Sequence, residues 1–180
     1  MYQGTNKTAL CSQKQIAQAL VRLMKDTPYP AISISAVCKS AGVSRQTFYS
    51  LFESKENIIL YILGKNHGFT PGQSCCGPAL SLSGLSREYS CYIADRREFL
   101  ELLVKNDIIY LLHDSLYRSF ISCPHFLSDL PEQKRCFGAE FLSGGLSGIA
   151  RIYAENSSVT TKELESTIAD LFSGRFFQNL

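Results

Sequence analysis

The stretch Ala41-Gly42-Val43-Ser44-Arg45-Gln46-Thr47-Phe48-Tyr49-Ser50-Leu51-Phe52-Glu53-Ser54-Lys55-Glu56-Asn57-Ile58 decides how this chain is read. Gly42 is able to take a positive φ after a helix end, and Ser44 is placed to accept a backbone N–H at the start of the next helix. Two short helices are therefore predicted, over about 34–40 and 45–51, joined by a tight turn. That is the layout of a helix-turn-helix, in which one helix braces and the second inserts its N-terminal residues into the major groove of DNA. Arg45 and Gln46 carry the forked donors and the amide that match guanine and adenine edges. Thr47 suits a base or a phosphate, and Tyr49 suits a phosphate. Phe48, Leu51 and Phe52 form the inward face. Ser54-Lys55 opens a further helix, sets a positive charge beside free N–H groups, and reads as a phosphate seat.

Helical periodicity continues on both sides of this stretch. Upstream, Ser12-x-x-Gln15 has the form of a capping box, so the first helix is expected to begin at Ser12. Ile16, Leu20, Leu23 and Met24 share one face of it, and Asp26-Thr27-Pro28 stops it. Downstream, Ile58, Ile59, Ile62 and Leu63 lead to Gly64. Residues 68–84, GFTPGQSCCGPALSLSG, break the pattern with Gly, Pro and Ser and read as a linker. Helices then resume over about 85–94, 96–104 and 107–122. Pro131 fits the first turn of a long helix that runs to about 155. Thr160-x-x-Glu163 is a second capping box, with Val159 and Leu164 placed as a hydrophobic staple, and it opens a last helix over 160–176. No alternating strand and no internal repeat is found. The expected fold is all-α: an N-terminal three-helix helix-turn-helix domain over 8–67, a linker over 68–84, and a helical-bundle regulatory and dimerisation domain over 85–180.

Charge supports that division. Eight basic residues against three acidic ones leave residues 1–68 at +5, while ten against thirteen leave the remainder at −3. A basic head on a mildly acidic body suits a protein whose head alone meets phosphate. With 45% hydrophobic and 19% charged residues the chain is expected to fold, and no stretch approaches the roughly 20 apolar residues that cross a bilayer. The first residues, MYQGTNKTAL, lack the apolar run of a signal peptide, so a cytoplasmic location and no membrane partner are expected. Seven cysteines without an export signal imply reduced thiols. Cys75 and Cys76 are adjacent, the other five are scattered, and the three histidines do not cluster with them, so neither a metal nor another cofactor is expected. No nucleophile elbow, phosphate loop or metal-binding helix motif is found, which argues against an enzyme.

Residues 12–63, and above all AGVSRQTFYSLFESKENI, resemble the DNA-binding domain of the TetR family of bacterial regulators. That family shows an alanine-glycine-valine-serine turn, an aromatic pair in the third helix, then phenylalanine, a short gap and serine-lysine-glutamate. Val37-Cys38 and Ser50-Leu51 depart from it slightly. The resemblance implies a sequence-specific transcription regulator, by family habit a repressor released by a small-molecule effector. Ser33, Ser44, Arg45, Gln46, Thr47, Tyr49 and Lys55 are then the expected DNA contacts. It also implies a homodimer held by the last two helices, here with Leu146, Ile149, Tyr153, Leu164, Ile168, Leu171 and Phe172 leading the interface. Gly144, Gly145 and Gly148 each cost about 1 kcal/mol inside a helix and read as points of close approach to a partner helix. Tyr89, Tyr92, Phe99, Tyr110, His113, Tyr117 and Phe141 are candidates to line an effector pocket. Residues 97–120 resemble, more weakly, the subgroup that contains regulators of dihydroxyacetone kinase operons. Two other readings stand beside this one: a relative that regulates by protein contact without touching DNA, and a thiol-responsive regulator acting through Cys75-Cys76.

Overall fold

A computed structural model describes residues 2, 4–64 and 82–174. The chain divides into two compact units, Met1–Lys65 and Asn66–Leu180. Every regular element among the described residues is helical.

The first unit, the head, contains α1 (Lys7–Asp26), α2 (Ile34–Ala41), α3 (Arg45–Leu51) and α4 (Lys55–Gly64), with a single 3-10 turn at Tyr29–Ala31. Helix α1 begins five residues before Ser12. Asn6 caps it, its side-chain oxygen accepting from the N–H of Thr8 at 2.9 Å and of Ala9 at 3.4 Å. Nothing between Asn6 and Ser12 breaks a helix, so the earlier cap sets the start and the Ser12 box lies inside the helix. Its end falls where expected, at Asp26 before Thr27 and Pro28. Ile16, Ala19 and Leu20 are fully buried, together with Phe48 in the middle of α3, Phe52 just after it, and Ile58, Ile59 and Leu63 from α4. This small core is what holds α3 in place. Truncating a fully buried phenylalanine such as Phe48 to alanine would cost about 3–5 kcal/mol.

The second unit, the body, contains α5 (Leu82–Ala94), α6 (Arg97–Lys105), α7 (Tyr110–Ser122), α8 (Glu132–Glu155) and α9 (Thr161–Phe172). Helix α8 packs on α6 and α7, and α9 packs on α5. Residues 82–84, placed by the sequence in a linker, are already helical. The rest of that linker, with Cys75 and Cys76, lies outside the described residues. Pro131 sits one residue outside α8, as its cap, because its ψ of 148° is extended. The second capping box is present as read: the Thr160 hydroxyl accepts from the Glu163 N–H, and the Glu163 carboxylate accepts from the Thr160 N–H at 2.9 Å. Despite its glycines α8 is one unbroken helix of 24 residues. Among the described glycines of α8 the close approach within the chain is at Gly138, where an added Cβ would lie 2.5 Å from Leu127 Cδ1, while one at Gly144 or Gly148 would meet nothing within 4 Å.

Candidate nucleic-acid interface

The turn between α2 and α3 is built as the sequence implies. Gly42 ends α2 at φ 68°, in the left-handed region that glycine adopts without strain. Ser44 then caps α3, its Oγ accepting from the Thr47 N–H at 3.0 Å. The same Oγ lies 2.8 Å from Thr47 Oγ1, so the Thr47 hydroxyl already has a partner within the turn. Ser33 caps α2 in the same manner, accepting from the Ala36 N–H at 3.1 Å, and stays exposed. From α1 the Arg22 guanidinium donates to the Ser40 carbonyl at 3.2 Å and holds the last turn of α2.

Helix α3 has two unlike faces. Phe48 is fully buried, with its ring 6.4 Å from Phe52, and Phe52 meets Tyr61 of α4 edge-on at 5.3 Å. On the other side Arg45 and Gln46 are exposed, and Tyr49 is 46% exposed with its ring edge-on to Phe48 at 5.4 Å. The structure therefore brings Arg45, Gln46 and Tyr49 onto the open face of a helix whose inner face is fixed. Under this helix, burial pushes the Cys38 thiol up, away from the thiolate form that reacts.

Lys55, expected as a phosphate seat, also has partners within the head. It is half-buried, and its ammonium donates inward, to the carbonyls of Tyr29 at 2.9 Å and Ile32 at 2.7 Å. Its charge also lies 4.4 Å from the centre of the Tyr29 ring. Next to it, Glu56 accepts from the Tyr29 hydroxyl at 3.0 Å. Burial alone would raise the Glu56 carboxyl. Its own backbone N–H, the Ser54 and Tyr29 hydroxyls and the Lys55 charge outweigh burial and hold it below its ordinary value. No sequence signal could have revealed these contacts, since they join residues 23 to 27 positions apart.

In the body, the structure separates the residues expected to act together. Tyr89 and Tyr92 are core residues: the Tyr89 hydroxyl donates to the Leu146 carbonyl at 2.8 Å, and burial pushes the Tyr92 phenol up to about 12. Phe99 is half-buried, whereas Tyr110 is 55% and Phe141 72% exposed, so these aromatics differ widely in burial. His113 and Tyr117 lie on the α7–α8 seam instead, His113 Nε2 at 3.1 Å from a Glu140 oxygen. The Tyr117 phenol is raised by its hydrogen bond with Cys136, burial and nearby negative charge adding to it.

Four of the seven expected dimer residues are turned inward. Leu146, Tyr153, Leu164 and Ile168 are buried inside the chain's own body, because they face α5, α6 and α7. Ile149 and Phe172 are half-buried, and Leu171 is exposed. The open face of α8 carries Phe137 (68% exposed), Phe141, Gly144, Gly145 and Ile152 (53% exposed).

Residues 16–62 match the family described as bacterial regulatory proteins, tetR family. Over 56 residues, 31% of its length, the chain is 38% identical to the HTH-type dhaKLM operon transcriptional activator DhaS of Lactococcus lactis subsp. lactis strain IL1403. Over 43 residues, 24% of its length, it is 44% identical to the HTH-type transcriptional regulator EthR of Mycobacterium tuberculosis strain CDC 1551 / Oshkosh. The matched stretches span only 30% and 20% of those relatives. A solved structure titled dihydroxyacetone kinase operon activator DhaS superposes with a TM-score of 0.55 at 18% identity, covering 91% of this chain and 95% of that one. That likeness extends the shared fold beyond the head.

Proposed function

We propose that this chain, whose residues 16–62 match the tetR family of bacterial regulatory proteins, is a sequence-specific DNA-binding transcription regulator working as a homodimer in the cytoplasm. One observation carries this reading: α3 presents Arg45, Gln46 and Tyr49 outward from a helix locked by the buried Phe48. A guanidinium and an amide at the free end of a fixed helix are the groups that read base edges. Ser33, Ser44 and Thr47 lie beside them, with hydroxyls committed to helix caps, and would add contacts to the DNA backbone. Among the described residues no helix is long and apolar enough to cross a membrane, and none groups His, Cys, Asp and Glu as a metal site.

The partner protomer is placed on the open face of α8, with Phe137, Phe141 and Ile152 as its apolar anchors and Leu171 of α9 beside them. We propose repression, relieved when a small molecule binds the body. A second reading, activation, is favoured by the printed name of DhaS, an operon activator.

Selection of duplexes from a random library tests the DNA reading. The wild-type protein is expected to enrich one motif. Arg45→Ala and Gln46→Ala should each relax preference at particular base pairs, by about 1–3 kcal/mol. An unenriched library would contradict DNA recognition, and unchanged variant profiles would remove both side chains from base reading. Transcription from the selected sequence, with and without protein, decides the sign of regulation.

A further inference from the structure

We propose that Gln13 and Tyr2 are positioning residues of the head, a tie that runs from α1 through Tyr2 to the C-terminal end of α3. The inference rests on the DNA-binding reading and specifies how α3 is held at the end away from its cap. Ser44 closes the first turn of α3, but the last carbonyls of any helix have no partner within it. One of them finds its partner far away in sequence. The carbonyl of Leu51, the last residue of α3, accepts from the Tyr2 N–H at 2.9 Å.

Tyr2 is itself held. Its carbonyl accepts from the Gln13 side-chain amide at 3.1 Å, and its hydroxyl accepts from the N–H of Asn6, the cap of α1, at 3.2 Å. Its ring occupies the place that a Cβ on Gly4 would take. Gln13 is 1% exposed and lies one turn before Ile16 and Ala17 on the buried side of α1. An amide at that depth costs free energy unless it is hydrogen-bonded. The bond to Tyr2 is what Gln13 supplies and an apolar side chain of its size would not. The backbone of one residue thus joins two helices, its N–H to Leu51 and its carbonyl to Gln13. The buried Phe48 locks the middle of α3, and this tie fixes the turn beyond it, which starts at the exposed Tyr49.

Specific and non-specific binding separate positioning from contact. A group that touches the DNA backbone weakens binding to all sequences alike when it is lost, whereas a group that only aims α3 affects the sequence that α3 reads. The experiment measures affinity of the full chain for the wild-type-selected operator and for a random duplex, at a temperature where circular dichroism shows each variant folded. Gln13→Met keeps the length of the side chain and removes its donor. It is expected to weaken operator binding roughly fivefold, the scale of one neutral hydrogen bond, with random-duplex affinity at the wild-type value. Tyr2→Pro, which removes the N–H given to Leu51, should do the same. Because both act on one tie, the double variant should bind operator no more weakly than either single one. Tyr2→Phe keeps both backbone groups and should stay close to wild type.

Equal losses on operator and random duplex would make these residues DNA contacts and overturn the tie. Unchanged operator affinity in the folded variants would reduce the bonds to simple stability and overturn it equally. So would losses that add in the double variant, or a Tyr2→Phe loss as large as that of Tyr2→Pro. If Gln13→Met does not fold, Tyr2→Pro decides alone, on the same two affinities. A wild-type protein that selects no DNA would instead sink the DNA-binding reading itself, before any variant is compared.

Discussion

Ser143 shows what a single buried atom implies. Its hydroxyl lies in the body without a hydrogen-bond partner, in the interior of α8. A buried hydroxyl left unmade costs about 1–3 kcal/mol, and alanine is the better helix former by a few tenths more. Ser143→Ala should therefore raise the stability of the free protein by about 1–2 kcal/mol, read as a higher midpoint in thermal melts. A lower midpoint would mean that the hydroxyl is bonded to something it needs. At this scale the sequence was most legible where chemistry is local. Gly42 and Ser44 declare their caps within four residues of their partners. Lys55 was not legible, because its acceptors are carbonyls more than 20 residues away that any residue type would supply.

Among the elements, α8 carries the main correction. It has two apolar stripes. One runs through Leu146, Ala150 and Tyr153 and is buried in the protomer; the other runs through Phe137, Phe141 and Ile152 and is open. Periodicity finds both and cannot say which one a protomer spends on its own core. The same ambiguity explains the effector aromatics, since Tyr89 and Phe141 carry equal apolar weight yet one is core and the other surface. A charge on Ile168 would now be expected to unfold the body, because that residue is fully buried. A charge on the outer stripe should not. Phe137→Glu combined with Phe141→Glu is predicted to yield folded monomers that bind operator weakly, judged by light scattering and helical content. Dimers that persist with unchanged helicity would place the interface elsewhere.

For the whole molecule, the division of labour follows from size. On the proposed reading α3, a helix of 7 residues, reads only a few base pairs, too few to stand out among the competing sites of a genome. A two-fold pair of heads doubles the reading, and a self-complementary face is what such a pair requires. The head was legible in outline because its turn, caps and core lie within a short stretch of chain, which is also where the family match falls. The body was legible only as helices, since their mutual packing is settled by residues far apart in sequence, such as the Tyr89 hydroxyl on the Leu146 carbonyl.

The central claim is that two copies of α3 read one site together. Its most direct test is the mass of the complex on the library-selected operator, measured by sedimentation alongside the sequence of that operator. The account predicts two protomers, or an even number of them, on a near-palindrome whose half-sites lie about one helical turn, or a multiple of it, apart. One protomer saturating an asymmetric site would contradict it.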